Sequence, residues 1–199
     1  MVGTNKIFIR IALIISYLMV LFIIIFLISS VYTYFNTGAE RSKMIHVELN
    51  KENIYSPVVN WKENGNEGRK INKQTLQEVE KDYLNAWYVK NSALRTYSFN
   101  GIKDYYTESA RKNLFKIISE NKNKNIIIKA TTLSHEPDIL FFSEDGQMVV
   151  LEDKNVIEYK EIIEENISIL TTKEVSNYKI ILLLEDGFWR IRHLIKEQS

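Results

Sequence analysis

The chain has 199 residues, with 26 Lys and Arg against 25 Asp and Glu, a formal net charge of +1. That balance argues against a nucleic-acid binder, which shows a basic stripe, and against a polybasic membrane-surface module. Cysteine is absent, which excludes disulfides, Cys-ligated zinc, Fe–S clusters and cysteine nucleophiles.

The first element is the apolar run Ile11 to Ser30, IALIISYLMVLFIIIFLISS. No Asp, Glu, Lys, Arg or His falls between Arg10 and Glu40, and the run contains neither Gly nor Pro. About 20 apolar residues rising 1.5 Å each cross a hydrocarbon layer of ~30 Å. A cleaved signal peptide has a shorter apolar core and a small-x-small cleavage site, and the residues after this run offer only poor sites. A soluble core helix is rarely apolar on every face for so many turns. The run therefore reads as an uncleaved anchor, with Tyr32, Tyr34 and Phe35 at its far end suited to the interfacial aromatic belt. Lys6 and Arg10 precede it and Arg41 and Lys43 follow it, a tie on side chains. The short tail and free amine favour an N-terminus inside, with the large C-terminal part outside the cytoplasm.

The expected division is a tail over 1–10, the membrane helix and interface over 11–35, a stalk over 36–72 and one domain over 73–199. Turn chemistry marks the stalk at Ser56-Pro57 and from Asn64 to Gly68. Its short apolar patches, Met44 to Leu49 and Val58 to Trp61, are suited to packing on the domain, with Trp61 as a packing anchor.

A helix is predicted over Lys73 to Thr96. Leu76, Val79, Tyr83, Ala86, Trp87, Lys90 and Leu94 recur at steps of three and four. Lys90 is the polar break, its stem lying along the stripe. Ser98 is expected to cap a short helix through Tyr106 and Thr107 a second one, with Ala110, Leu114, Ile117 and Ile118 as its buried stripe. The polar run Asn121 to Asn125 ends the helical half.

From Ile126 the period changes to that of strands. Glu144-Asp145-Gly146 and Glu185-Asp186-Gly187 are hairpin turns, because Asp-Gly tolerates positive φ. Val156 to Leu170 supplies one or two more strands. On the last strand Trp189, Ile191, His193 and Ile195 share one face, and Phe188, Arg190, Arg192 and Leu194 the other. Pro137 marks a bulge, kink or edge. Helices followed by antiparallel strands give an α+β domain whose curved sheet packs on the helices.

With DYLNAWY (Asp82 to Tyr88), IKDYYTESARKNL (Ile102 to Leu114) and EDGFWRI (Glu185 to Ile191) in that order, the chain resembles the NTF2-like superfamily, the cystatin-like cone of helices under a bent sheet. The resemblance spans about Lys73 to Ile195. Its membrane-anchored relatives include VirB8-like secretion components, and its soluble-domain relatives include Tim44-like and plastid-division proteins. It implies a fold used for protein contacts, with self-association through an exposed sheet face in a homodimer. Ketosteroid-isomerase-like enzymes share the cone, and their chemistry needs a carboxylate base and hydroxyl donors in an apolar pocket. Asp104 and Asp138 are candidates in type for the carboxylate.

Candidate pocket residues are Tyr83, Trp87, Tyr105, Tyr106 and Trp189, each as readily a core side chain. Arg190 and Arg192 are candidates for a partner-facing strip, or for ion pairs with Glu152, Asp153 or Glu158. His46, His135 and His193 stand singly, outside any HxH or HExxH spacing, so no metal site is expected. His135 reads as strand-end surface and His193 as a core histidine. No GxSxG, GxGxxG or Walker pattern occurs, and neither a catalytic residue nor a cofactor is assigned. The reading is a single-pass, non-catalytic protein-binding module of a bacterial-type envelope complex. Its expected partners are the membrane and other envelope proteins, not nucleic acid. The alternative is a small-ligand or isomerase-like pocket in the cone.

Overall fold

The computed structural model describes residues 3–37, 55–62 and 65–197. The side chains of Tyr32, Tyr34 and Phe35, together with Arg41, Lys43, His46 and the patch Met44 to Leu49, lie outside what it describes. Two compact units divide at Ala39.

The first unit contains one helix, α1 (Gly3–Thr37). Its stretch Phe8–Val31, 24 residues, is long and apolar enough to cross a membrane. Its side chains from Phe8 to Val31 are exposed within the unit, as an anchor requires of residues that meet lipid rather than protein.

The second unit is α+β. Its elements are β1 (Val58–Val59), α2 (Lys73–Thr96), α3 (Ile102–Tyr105), α4 (Glu108–Asn123), β2 (Ile126–Phe142), β3 (Met148–Glu164), β4 (Ile167–Glu185) and β5 (Phe188–Lys196). The strands form one sheet in the order β1-β2-β3-β4-β5. β1 runs parallel to β2, and the other neighbours are antiparallel.

Helix α2 starts where its cap dictates. The Asn72 side chain accepts from the Thr75 N–H at 2.8 Å, satisfying one orphan donor of the first turn. The helix ends at Tyr97, which takes the left-handed conformation (φ 57°) and returns its N–H to the Ala93 carbonyl. Val79, Tyr83, Ala86 and Trp87 are fully buried, so the predicted stripe is the core face. Burial of each large side chain contributes about 1.5–3 kcal/mol.

The short helix α3 begins at Ile102, not at Ser98. Gly101 precedes it with φ 77°, a conformation that glycine adopts without steric cost, and the Ser98 hydroxyl accepts from Asn100 N–H instead. α4 follows Thr107, and its inner face is Leu114 and Ile118, while Ile117 is exposed.

The two Asp-Gly turns lie where expected. Asp186 and Gly187 have φ of 51° and 76°, the both-positive geometry of a tight two-residue hairpin. The turn between β3 and β4 has the same geometry at Glu165 and Asn166 (φ 48° and 66°), without a glycine to advertise it.

The segment before α2 adds to the sheet. Val58 and Val59 pair with Ser134 and His135, and Lys62 bridges to Asp138. Further along, Glu67 N–H donates to Leu140 O and Arg69 N–H to Phe142 O. Residues placed in the stalk by sequence thus cover the outer edge of β2 from Ser134 to Phe142. The Trp61 indole donates to Glu80 of α2. Pro137 sits on β2 within this covered stretch, and its carbonyl accepts from Lys62 N–H.

Candidate functional site

The five aromatic residues singled out by sequence are all buried. Tyr83 and Trp87 from α2 lie edge-on to each other and each ring centre is 5.5 Å from that of His135. Tyr106 donates from its hydroxyl to the Ala86 carbonyl (3.0 Å), and Asn85 donates to the Tyr105 hydroxyl (3.2 Å), tying α3 to α2. Tyr105 meets Phe188, and Trp189 meets Phe142. The structure therefore brings Tyr83 and Trp87 together at one place, with Tyr105, Tyr106 and Trp189 in the core beyond.

His135 corrects its sequence reading. It is fully buried, and His193 is exposed, the reverse of the expected assignment. Strand bulges cause the exchange. β2 shifts register between Thr132 and Ser134 and again between Ser134 and Glu136, which moves the core face from even to odd positions. In β5 the pairing steps from Ile191 to His193 while β4 advances by one, leaving Arg192 as the extra residue and turning His193 outward.

His135 belongs to a buried chain of polar groups. Asp153 Oδ2 accepts from Tyr83 at 2.6 Å and lies 2.6 Å from His135 Nδ1, and its Oδ1 accepts from Glu136 N–H at 2.8 Å. His135 Nε2 lies 2.8 Å from Thr132 Oγ1, which also meets the Tyr55 hydroxyl. The donors close one way when Nδ1 carries the ring hydrogen: Tyr55 donates to Thr132, Thr132 to Nε2, and Nδ1–H to Asp153. Burial, then the Asp153 carboxylate, push the Tyr83 phenol well above its ordinary range, so it stays a donor. Burial likewise raises Tyr55. The order carboxylate–imidazole–hydroxyl resembles nucleophile activation, but Thr132 is only 2% exposed and shared with Tyr55. Its chemical consequence is positional: it fixes Tyr55 in place.

Tyr55 forms one wall of a groove of about 390 Å³. Tyr88, Asn91, Ser92 and Arg95 of α2 line one side, and Lys129, Ala130 and Thr131 of β2 with Tyr159 and Glu161 of β3 line the other. None of the five aromatic candidates lines it. Tyr88 and Tyr55 stand with ring centres 6.0 Å apart. Sequence reading passed over Asn91, which stands one turn beyond Trp87 on the buried side of α2; its one signal was a polar residue four positions from a stripe member. Asn91 is buried, and neither its Nδ2 nor its Oδ1 has a hydrogen-bond partner.

Lys90 lies beside this region with its ammonium 3.6 Å above the Trp87 ring. Burial pushes it down to about 8, with the Glu158 carboxylate opposing the shift. The Glu158 carboxylate accepts from Tyr178 at 3.3 Å.

Arg190 does not cross the sheet to Glu152, Asp153 or Glu158. It pairs with Glu185 at 3.3 Å and Asp186 at 2.9 Å, the residues of its own turn, and its Nε donates to the Asp104 carbonyl. Arg192 is exposed at the bulge. Of the two carboxylate candidates, Asp104 is buried, and Asp138 is half-buried opposite Lys62 on the sheet edge. Among the described residues, no group of three or more His, Asp or Glu is placed to hold a metal ion.

No protein-family model and no curated protein matches the chain. Among solved structures it is similar to the intermembrane-space region of the chloroplast protein ARC6, with 12% sequence identity and a TM-score of 0.53 over 66% of this chain and 100% of that one. At that identity the likeness is one of fold.

Proposed function

We propose that this protein is a single-pass membrane protein whose α+β domain, of NTF2-like kind, is a non-catalytic protein-binding module of an envelope assembly. One observation carries the reading: a helix able to span a membrane stands ahead of a domain whose interior is occupied by its own aromatic side chains. Tyr83, Trp87 and Trp189, at 0%, 0% and 1% exposure, take up the volume that a ligand or isomerase-like pocket would need. That leaves surfaces as the working parts. The likeness to a domain of the intermembrane space of an organelle supports an extracytoplasmic placement, in line with the short N-terminal tail and its free amine. The anchor confines the domain to two dimensions, which raises its effective concentration for other membrane-bound proteins, a second copy included.

Photo-crosslinking in intact membranes tests this. Cross-linkable residues placed over the domain surface are expected to trap envelope proteins or a second copy. A chain that stays monomeric and unlinked at every position sinks the reading. Protease accessibility of the C-terminus in sealed vesicles decides the side.

A further inference from the structure

We propose that the groove beside Tyr55 receives an extended peptide segment of a partner protein, added as a strand to the outer edge of β2 over Ile126–Leu133, with Asn91 bonding the N–H and C=O of one of its residues. This rests on the protein-binding reading above and names the chemistry of the contact.

The edge is the first ground. The sheet order puts β1 and the residues following it outside β2, but that pairing begins only at Ser134. Among the described residues, nothing pairs with the outer side of Ile126–Leu133. Every second residue of such a strand presents an outward N–H and C=O. The segment reads IIIKATTL, uncharged except for Lys129, a sequence that adds strands readily and that folded proteins cover.

The groove follows that edge. Ala130 shares the core face of β2 with Thr132, whereas Lys129 and Thr131 point to the opposite face, yet all three line the same space. A groove that runs along the strand's edge meets residues of both faces. The same edge already takes up chain by strand addition from Ser134 to Phe142, through bonds such as Asn60 N–H to His135 O. The proposed segment extends an interaction that this sheet already makes.

Asn91 is the independent observation. It is 6% exposed, lines the groove, and leaves one amide nitrogen and one amide oxygen unpaired. A buried amide in that state is destabilising unless a ligand supplies both an acceptor and a donor. One residue of an extended segment offers that pair on the same side of its backbone: its carbonyl accepts from Nδ2 and its N–H donates to Oδ1. The Tyr55 and Tyr88 rings then offer an apolar wall for a side chain of the segment.

The test uses the full chain in lipid nanodiscs and, as probe, a displayed library of random linear peptides. Selected peptides are expected to slow amide hydrogen exchange in Ile126–Leu133. N-methylation at alternate peptide residues, which removes backbone donors, is expected to weaken binding about tenfold or more. Asn91→Leu is expected to weaken it to a similar degree while the fold is retained. If that variant does not fold, the N-methyl scan on the natural chain decides. Failure to select any peptide overturns the proposal, as does protection confined elsewhere or indifference to N-methylation. Full protection of Ile126–Leu133 in the isolated chain also overturns it, because the edge would then be covered by the chain itself. If partners still crosslink in membranes while the peptide results are negative, this contact fails and the broader protein-binding reading stands.

Discussion

Replacing Asp153 by leucine probes what holds the core at its polar centre. The carboxylate accepts from Tyr83, His135 and the Glu136 N–H, at 2.6, 2.6 and 2.8 Å. Leucine branches at the same atom, is larger and has no acceptor, so all three donors lose their partner where water cannot easily replace it, and any overpacking adds to the loss. A buried donor left unsatisfied costs about 1–3 kcal/mol, and the Glu136 N–H, being only part-buried, belongs at the low end. The expected loss is therefore about 3–6 kcal/mol, a large share of the ~5–15 kcal/mol that stabilises a typical domain. Tyr83→Phe removes one hydroxyl and leaves the carboxylate two donors, so its expected loss is only about 1–2 kcal/mol. The assay is urea unfolding of the detergent-solubilised chain, followed by the fluorescence of the buried Trp87 and Trp189. An Asp153→Leu variant no less stable than Tyr83→Phe would refute the argument that this chain of bonds organises the core.

Other perturbations follow from the same structure. The Lys90 ammonium, half-buried against the Trp87 ring and pushed down to about 8 by desolvation, releases its proton in the folded state before the unfolded chain does. Stability is therefore expected to rise with pH from about 8 to about 10, and Lys90→Met to flatten that rise and add about 1–2 kcal/mol at neutral pH; unfolding midpoints across that window check both. A methyl group on Gly68 would lie 2.1 Å from the Phe142 carbonyl oxygen, so Gly68→Ala is expected to push the strap off β2. Faster tryptic cleavage after Arg69 and Lys70 with a lowered midpoint is the readout, and unchanged cleavage would show that the strap accommodates the methyl. Placing lysine at Ile23, in the middle of the Phe8–Val31 stretch, costs about 2.5–3.5 kcal/mol of insertion free energy. Alkaline extraction is expected to release more of that variant from membranes than of the natural chain.

Much of the architecture is legible without coordinates. The uninterrupted apolar run of α1, the stripe of α2 and the Asp-Gly turns each depend on residues close in the chain, where hydrophobic period and turn chemistry act directly. The ends of α2 at Lys73 and Thr96 were readable for that reason. The turn at Glu165-Asn166 was not, because Asn reaches positive φ without the glycine that marks its counterparts.

The candidate site was not legible, and the reason is register. A single extra residue in a strand reverses every later side chain. Period-two reading put His193 inside, and its place beside Pro137 put His135 at a strand end; β2 instead runs on past Pro137 with His135 buried, and the bulge in β5 turns His193 outward. The groove depends on separations the chain does not display: Tyr55 reaches Thr132 across 77 positions, and Tyr83 reaches Asp153 across 70. The residues before α2 read as stalk because their apolar content is thin; backbone hydrogen bonds to β2, which any sequence can make, hold them to the sheet. By itself, the sequence determined the long apolar helix, the helix-then-sheet order and the lack of cysteine chemistry, all matters of composition and local period. Only the tertiary structure decided which histidine is buried, which arginine is neutralised by its own turn and where along β2 the segment before α2 pairs, because each of these follows from strand pairing.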